Sequence, residues 1–285
     1  MSSSFDTSAF AGTLGWAGGA VVVVLAATFG VAKIAGKHSV IDTTWGLLFV
    51  AIASTVFVRS SGHGDEVRRW LLFVLATLWG LRLAQHIGRR TIGKPEDPRY
   101  AELLDKARGN PDLYALRMIY LLQGLLAFII AAPILVGAFE RAAVGPLAWV
   151  GVAVWLVGVF FEGVGDSQLE RFRRDPGNKG KVNDVGLWRY TRHPNYFGDA
   201  CVWWGIFLVA ADALPGVVTI YSPVIMTLLL TKGSGARILE RHMSKRDGWD
   251  DYAARTSRFF PLPPKRTVST AEAPGRPRVS RGDRP

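Results

Sequence analysis

The segment 186–199, GLWRYTRHPNYFGD, concentrates polar side chains at the start of an apolar run. It contains two Arg, one His, one Asn, two Tyr and one Asp. Ionisable groups within hydrocarbon cost about 2.5–3.5 kcal/mol or more, so they persist mainly where they face a partner, a cavity or a ligand. Asn195 and Asp199 are spaced to share one helix face and could hydrogen-bond an amide or a ribose. The segment is therefore a candidate binding site.

The stretch before this segment is rich in basic residues and glycine. Gly177, Gly180 and Gly186 allow a ligand to approach the backbone closely, and Arg and Lys bind phosphate oxygens. A nucleotide could bind here with its phosphates on the loop and its neutral ring further in, although a cytoplasmic loop is basic in any case. The basic residues are Arg171, Arg173, Arg174, Lys179, Lys181, Arg189 and Arg192.

Other polar residues interrupt the apolar runs, nearly all toward one predicted side of the membrane. Arg82 and His86 are spaced i, i+4, as are Glu162 and Asp166, so each pair shares a helix face. A polar cavity open to the cytoplasm would explain the one-sided placement. The alternative is that Arg82 pairs with Asp42 or Glu162 only to lock helices together. The set comprises Asp42, Arg82, His86, Tyr120, Gln123, Glu162 and Asp166.

The elements that must position these residues are apolar runs. The chain has 285 residues, 49% of them apolar, and a positive mean hydropathy. A membrane helix needs about 20 apolar residues to cross about 30 Å of hydrocarbon. The sequence predicts an all-α polytopic membrane protein with about seven spans, at 16–35, 40–58, 70–87, 116–139, 146–165, 197–213 and 214–231.

The basic residues predict the orientation. With the N-terminus outside, the loops that then lie inside carry most of the Lys and Arg, as the positive-inside rule requires. The net charge of +11 would suggest nucleic-acid binding in a soluble protein, but here it follows from topology, so no nucleic-acid partner is expected. We predict an N-out, C-in protein.

The domain organisation is predicted to be simple. Residues 1–263 form one transmembrane domain, and 264–285, rich in Pro, Arg, Ser and Thr, form a disordered basic cytoplasmic tail. Cys201 is the only cysteine, so no disulfide can form within one chain. No metal site is expected.

From about residue 42 to 261 the chain resembles a bacterial integral-membrane family of unassigned function that is related to the steroid 5-alpha-reductases. The resemblance implies a seven-helix reductase of the inner (plasma) membrane that uses NADPH and takes a lipid substrate from the bilayer. The matching pieces are HSVIDTTWG near 42, LWGLRLAQHIGRR at 78–90, RMIYLLQ at 117–123, GVGDSQLERFRRDPGNKGKVNDVGLWRYTRHPNYFGD at 163–199, and ILERHMSKRDGWDDYAARTSRFFP at 238–261.

The resemblance also implies roles for particular residues. In the steroid reductases an acid on the fifth helix, a basic segment, and Asn-x-x-x-acid on the sixth helix hold the dinucleotide. The corresponding positions in this chain are Asp166, Arg173, Arg174, Asn195 and Asp199. The C-terminal helix of those enzymes also contacts the cofactor, and the candidates for this role here are Arg237, Glu240 and Arg241. Lys181, Arg192, His193 and Tyr196 complete the predicted cofactor-binding set. A purely structural role for His193, at the start of a helix with Pro194 in its first turn, fits the sequence equally well.

The chain departs from the steroid reductases at the substrate end. Those enzymes carry a Gln-Glu pair whose Glu works with a Tyr to polarise the substrate ketone, and the pair is missing here. Asp42 is the nearest acidic candidate, while Trp79 or Arg82 falls in the Tyr region. The candidate catalytic residues are Asp42, Arg82 and Tyr120.

Two other functions stay open. Isoprenylcysteine-type carboxyl methyltransferases share Arg-His-Pro-x-Tyr, which fits RHPNY at 192–196, and bind S-adenosylmethionine in the corresponding place. A non-catalytic lipid-binding or scaffold protein is the third reading. The basic loop and Asp199 favour reduction, because a sulfonium cofactor needs few phosphate contacts.

Overall fold

The computed structural model describes residues 5–233 and 235–265, and the described chain is helical, with no named strand. A π-helical turn at Leu116–Leu121 joins α5 to α6, and a 3-10 turn at Gly216–Ile220 precedes α10. The helices are α1 (Thr7–Ala35), α2 (Val40–Arg59), α3 (Glu66–Thr91), α4 (Pro98–Leu104), α5 (Pro111–Ala115), α6 (Leu122–Ile130), α7 (Ala132–Gly137), α8 (Pro146–Arg174), α9 (Pro194–Ala211), α10 (Tyr221–Thr231), α11 (Ala236–Met243) and α12 (Trp249–Arg255).

The predicted all-α polytopic membrane fold is confirmed. Within the described residues, five helical stretches are long and apolar enough to cross a membrane: Thr7–Ala35, Val40–Arg59, Glu66–Thr91, Pro111–Ile130 and Pro146–Arg174. A shorter apolar stretch covers Gly216–Thr231. Helix α9, with its polar first turns, is not among the five. The count of seven spans and the N-out orientation therefore stay predictions.

Two boundaries differ from the sequence-based expectation. The fourth predicted span, 116–139, is interrupted at Ala131, and a separate short helix, α7, follows with Pro133 in its first turn. Helix α8 continues nine residues beyond the predicted end at 165, so Arg171, Arg173 and Arg174 lie in its last turn rather than in a loop. The basic surface is thus partly helical. The predicted tail, 264–285, lies outside the described residues except for Pro264 and Lys265.

Polar contacts define two ends of the bundle. At the inner end, predicted to face the cytoplasm, Lys33 pairs with Asp112 at 2.5 Å and joins the end of α1 to the start of α5. At the outer end, Asp6 pairs with Arg141 at 2.8 Å and joins the start of α1 to the segment before α8. Asp6 also caps α1, since its Oδ1 accepts from the backbone N–H of Ala9 at 3.1 Å. The inner end is where the candidate residues converge.

Glycines allow α8 and α9 to pack with their backbones in contact. A Cβ at Gly158 would lie 2.6 Å from the carbonyl oxygen of Gly198, and one at Gly151 would lie 2.7 Å from that of Gly205. Small residues at such spacing are the usual means of close helix packing in membranes. This contact sets α9 directly against the face of α8 that carries Glu162.

A short cap covers the inner end of α8 and α9. It consists of the loop 175–193, α11, α12 and the segment 256–265. The backbone N–H of Arg192 donates to the carbonyl of Ser257 at 2.9 Å, and that of Leu262 donates to the carbonyl of Tyr190 at 3.0 Å. Tyr252 donates its hydroxyl to the carbonyl of Trp188 at 2.7 Å. These bonds fix the C-terminal segment to the loop before α9.

Candidate active site

The core of the candidate site is a cluster of carboxylates around one guanidinium at the inner end. Nη1 of Arg82 lies 2.5 Å from Oε1 of Glu162, and Nη2 donates to Oδ2 of Asp166 at 2.5 Å. Glu162 and Asp166 are 3% and 6% exposed. Trp79, fully buried, donates its indole N–H to Oε2 of Glu162 at 3.0 Å. Helices α3 and α8 thus meet at this cluster of polar side chains.

Asp199 adds a further carboxylate to the cluster. Its Oδ1 is enclosed and has no hydrogen-bond partner. Asn195, one turn earlier on α9, donates its amide to Oδ1 of Asp166 at 3.2 Å. Nε2 of His86 lies 3.5 Å from Oδ2 of Asp166. Three carboxylates therefore face one guanidinium, an arrangement that is costly in a dry interior unless a ligand supplies donors or positive charge.

Three packed aromatic side chains lie next to this cluster. The ring centroids of Phe49 and Trp203 are 4.6 Å apart, those of Phe49 and Trp79 are 5.5 Å apart, and those of Trp79 and Trp203 are 5.3 Å apart. All three side chains are fully buried. The rings adjoin the polar cluster through the hydrogen bond from Trp79 to Glu162, and rings packed there can exclude water from a bound ligand.

Asp42 lies in a different group of polar residues. It accepts a short hydrogen bond from the phenol of Tyr100 and pairs with Nη2 of Arg99 at 3.1 Å. Gln123 donates its amide to the Tyr100 oxygen at 3.4 Å. Burial, followed by the charge of Asp42, raises the pKa of Tyr100, so its phenol keeps its proton. The structure thus brings Asp42 together with Tyr100, whereas Arg82 pairs with Glu162 and Asp166.

Tyr120 lies in a third place, within the π-helical turn. Its hydroxyl is 3.2 Å from Nδ1 of His38, whose Nε2 is 3.2 Å from Oδ1 of Asp112. Tyr120 is fully buried and His38 is 7% exposed. A cavity of about 430 Å³ opens beside His38 and Asp112. Single-turn π-helices recur at functional sites because they redirect side chains.

His193 and Arg192 are held by Glu240. Nε2 of His193 is 3.1 Å and Nη1 of Arg192 is 3.2 Å from Oε1 of Glu240, while Nε of Arg258 is 3.3 Å from its Oε2. Although burial opposes it, contact with His193 and Arg192 lowers the pKa of Glu240. Burial lowers the pKa of His193 despite that partner. Glu240 thereby fastens α11 to the start of α9.

The remaining predicted residues surround this junction. Arg173 is close enough to Asp166 and Tyr196 to interact with both electrostatically. The ring of Tyr196 stacks on His193 with centroids 5.4 Å apart. Arg174 pairs with Glu170 at 2.5 Å on the surface. Lys181 and Arg237 are exposed, and the Lys181 carbonyl accepts from Arg246 at 3.0 Å. Arg173 and Tyr196 therefore approach the carboxylates, whereas Arg174, Lys181 and Arg237 lie on the surface.

The groups around the carboxylates indicate which kind of ligand could bind beside them. Across 5–233 and 235–265, no group of three or more His, Cys, Asp or Glu is arranged to hold a metal ion. The carboxylate cluster is instead occupied by Arg82, Trp79 and Asn195. The donor set therefore suits an organic ligand that presents N–H or O–H groups.

Comparison with known proteins decides the family. The model of a family described as "Protein of unknown function (DUF1295)" matches residues 28–257. The chain belongs to this family. Its matched region runs from α1 to α12 and includes the carboxylate cluster, the Asp42–Tyr100 pair and the Glu240 junction.

Individual relatives extend the comparison to named enzymes. An uncharacterised protein of Schizosaccharomyces pombe is 22% identical over 258 residues, which is 82% of this chain and 75% of that protein. The 3-oxo-5-alpha-steroid 4-dehydrogenase 1 of Rattus norvegicus is 32% identical over 118 residues, 41% of this chain and 42% of the enzyme. The corresponding enzyme of Mus musculus is 39% identical over 74 residues, 26% of this chain and 28% of the enzyme.

These matches confirm the relation of the DUF1295 chain to the steroid 5-alpha-reductases. The chain spans less than half the length of the two named enzymes. The likeness therefore relates the chain to a class of membrane reductases that act on a lipid, while its own activity and substrate are a separate question.

Two polar partners of the candidate residues, Tyr100 and His38, are absent from the sequence-based set, and Glu162 is not among the predicted cofactor residues. Tyr100 follows the loop after α3, and nothing in the neighbouring sequence predicts its contact with Asp42. Glu162 lies one turn before Asp166 on α8. Its spacing of i, i+4 from Asp166 was the available signal.

Proposed function

We propose that this chain is a membrane-embedded reductase that uses NADPH to reduce a carbon–carbon double bond in a lipid. The observation that carries the proposal is the surplus of carboxylates around Arg82, with the unpartnered Oδ1 of Asp199 next to Asn195. Such a site suits a ligand with several hydrogen-bond donors. A nicotinamide carboxamide and ribose hydroxyls are such donors.

The residues present fit the nicotinamide end of NADPH. Asn195 and Asp199 would hold the carboxamide, Asp166 the ribose hydroxyls, and Arg173 the phosphates. NADPH supplies a hydride when bound. The chain's own contribution is to orient the ring beneath Trp79 and Trp203 and to exclude water, which favours transfer to an alkene over side reactions.

The Asp42–Tyr100 pair is the best candidate for polarising the substrate. The raised pKa of Tyr100 keeps its phenol protonated, and the phenol donates a hydrogen bond to Asp42. A carbonyl conjugated to the double bond would compete with Asp42 for the proton and so accept developing negative charge. Tyr120, with His38 behind it, is the alternative donor. The apolar part of the substrate would enter from the bilayer.

An S-adenosylmethionine-dependent methyltransferase is the second candidate function. The carboxylate surplus would also suit a sulfonium cation, and RHPNY at 192–196 fits both classes. The names of the rat and mouse relatives support reduction.

Ligand-dependent thermal stability separates the two functions. Full-length protein purified in detergent should be stabilised by NADPH and not by S-adenosylmethionine. Replacing Asn195 and Asp199 together with Ala should remove the NADPH response, whereas Arg108→Ala, in the exposed loop between α4 and α5, should keep it. Stabilisation by S-adenosylmethionine alone would exclude the reductase.

Topology provides an independent test of where NADPH meets the protein. We propose that the chain lies in the plasma membrane with its inner end in the cytoplasm. A reporter fused after Tyr100 should then report cytoplasm and one fused after Ala143 the opposite side. Both reporters on one side would contradict the seven-span topology.

A further inference from the structure

The cavity beside His38 and Asp112 opens at the inner end of the bundle, between the end of α1, α4 and the start of α5. Its volume of about 430 Å³ lies within the range of about 300–1,000 Å³ that is typical of ligand sites. The charged and polar residues that line it are Lys33, Lys37, His38, Glu96, Asp105 and Asp112.

Hydrogen bonds hold the walls of this cavity in place. Nζ of Lys37, just after α1, donates to the carbonyl oxygen of Thr91, the last residue of α3, at 2.9 Å. The carboxylate of Glu96 accepts from the backbone N–H groups of His38 at 2.5 Å and Ser39 at 2.9 Å. The charged groups are therefore held in position before a ligand binds, which lowers the entropic cost of binding.

Charges of both signs line the cavity. The ammonium groups of Lys33 and Lys37 come from the end of α1, whereas the carboxylates come from the segment that contains α4 and the start of α5. Two ammonium groups thus accompany three carboxylates, those of Glu96, Asp105 and Asp112. Lys33 and Asp112 pair at 2.5 Å, but an ammonium has three donors and a carboxylate about four acceptor positions, so both can bind a further group. A ligand that carries an anion together with a cation complements this lining.

The Lys33–Asp112 pair lies at the edge of the apolar surface. Ile34, which follows Lys33, is 90% exposed, and Leu113, which follows Asp112, is 52% exposed. Both residues belong to helical stretches that are long and apolar enough to cross a membrane, where exposed apolar side chains face lipid tails. An amphipathic ligand therefore fits, with its polar head in the cavity and its apolar chain beside Ile34 and Leu113.

We propose that this cavity binds the headgroup of a zwitterionic phospholipid with a primary ammonium, such as phosphatidylethanolamine. The phosphate accepts from Lys33 and Lys37, and the ammonium donates to Asp105 and Asp112. The trimethylammonium of phosphatidylcholine has no N–H to donate. Phosphatidylglycerol brings a negative charge to a lining that already has a surplus of carboxylates. This site is independent of the proposed reductase, since it needs neither NADPH nor a reducible double bond.

Isothermal titration of the full-length protein in detergent compares the headgroups. The probes are dihexanoyl phosphatidylethanolamine, dihexanoyl phosphatidylcholine, dihexanoyl phosphatidylglycerol and glycerophosphoethanolamine, which has the ethanolamine headgroup without acyl chains. The ethanolamine lipid should bind about three- to fivefold more tightly than the other two lipids, as expected for ion pairs that are open to solvent. Glycerophosphoethanolamine should bind more weakly than the lipid, because it has no chain to bury beside Ile34 and Leu113.

Asp105→Lys tests whether the cavity sets the headgroup preference. Three ammonium groups would then accompany two carboxylates, so the glycerol lipid should bind about three- to fivefold more tightly than the ethanolamine lipid. Asp105 is exposed, so the melting temperature without lipid should stay the same. Glu102→Lys is the matched control, since Glu102 is an exposed carboxylate of α4 that does not line the cavity. It makes the same change in net charge and should keep the ethanolamine preference.

The possible outcomes separate this lipid site from its alternatives. Equal binding of the three lipids, or an unchanged preference in Asp105→Lys, overturns the site. A reversal that Glu102→Lys shares would follow from net charge rather than from the cavity and also overturns it. Binding of glycerophosphoethanolamine as tight as that of the lipid identifies a soluble phosphodiester as the occupant and overturns the lipid. These titrations contain no NADPH, so their failure leaves the proposed reductase unaffected.

Discussion

The two ends of the bundle each contain a buried arginine, and the arginines are used differently. At the outer end Arg68 is fully buried and pairs with Asp212 at 3.1 Å, while its other nitrogens donate to the carbonyls of Ala142 at 2.6 Å and Val209 at 3.3 Å. Asp212 also accepts from the backbone N–H of Gly145 at 2.6 Å. Each guanidinium nitrogen of Arg68 has a partner, and Asp212 Oδ1 also accepts from the backbone N–H of Ala148 at 3.3 Å. The buried carboxyl of Glu140 is close enough to Arg68 to interact with it electrostatically.

At the inner end Arg82 faces Glu162, Asp166 and Asp199, and one oxygen of Asp199 has no partner. Removing one partner of a buried ion pair leaves the other charge buried and uncompensated, which destabilises the folded protein. The outer pair should therefore contribute to stability. An unmatched cluster destabilises the protein until a ligand completes it, so the inner group should serve binding. The two ends differ in the number of acidic groups near the arginine, three beside Arg82 and two beside Arg68, and in the backbone carbonyls that bind Arg68.

The largest predicted effect comes from breaking the outer pair. Arg68→Met leaves Asp212 buried and unpaired and should lower the free energy of unfolding by about 3–5 kcal/mol. Denaturant unfolding in detergent measures the loss. The protein that remains folded should bind NADPH with unchanged affinity, and weakened binding would mean that the two ends are not independent.

A smaller loss of stability is predicted where α8 and α9 touch. A Cβ at Gly198 would lie 2.4 Å from the backbone nitrogen of Glu162, so Gly198→Ala must move the helices apart and should cost about 1–3 kcal/mol. It should also weaken NADPH binding, because it separates Asp199 from Glu162. Gly15→Ala in α1, where nothing lies within 4 Å, is the control and should be neutral.

Asp→Asn substitutions at Asp199 and at Asp212 test the difference between the two ends of the bundle. Asp199→Asn should leave the melting temperature without ligand unchanged or higher, because it removes one of three crowded negative charges, and should weaken NADPH binding about tenfold, which is about 1.4 kcal/mol. Asp212→Asn should do the opposite, lowering stability and keeping affinity. Equal behaviour of the two variants would remove the distinction between the ends.

A pH-dependent effect is predicted for Glu140 at the outer end. Burial raises the pKa of Glu140 to about 7, although the backbone N–H of Gly216 at 3.2 Å favours the charged form. A raised pKa in the folded state stabilises the protein at low pH, and this contribution is lost as the pH rises toward and through 7. The melting temperature of Glu140→Gln relative to the wild type should therefore increase between pH 5 and pH 8. A constant difference would show that Glu140 does not titrate there.

The sequence predicted the fold better than the contacts within it. Apolar run length identified the membrane helices, because crossing hydrocarbon imposes a length that packing cannot alter. The interruption at Ala131 and the extension of α8 to Arg174 depend on packing and on solvent at the membrane surface, which run length does not encode. Asp42 contacts Tyr100 because the segment between α3 and α5, which contains α4, folds back toward the start of α2. Apolar run length does not predict that arrangement.

The candidate site was predictable where one helix carries both residues. The spacing of Glu162 from Asp166 and of Asn195 from Asp199 fixes a shared face before any tertiary contact forms. The partner of Arg82 lies on another helix, so the sequence left Asp42 and Glu162 open, and geometry selects Glu162.

The most direct test of the central claim is a ligand-bound structure of the full-length protein determined with NADPH. The account predicts density for the nicotinamide between Asn195 and Asp199 beneath Trp79, with phosphates at Arg173. Nucleotide density that leaves the carboxylate cluster of Glu162, Asp166 and Asp199 untouched would contradict it.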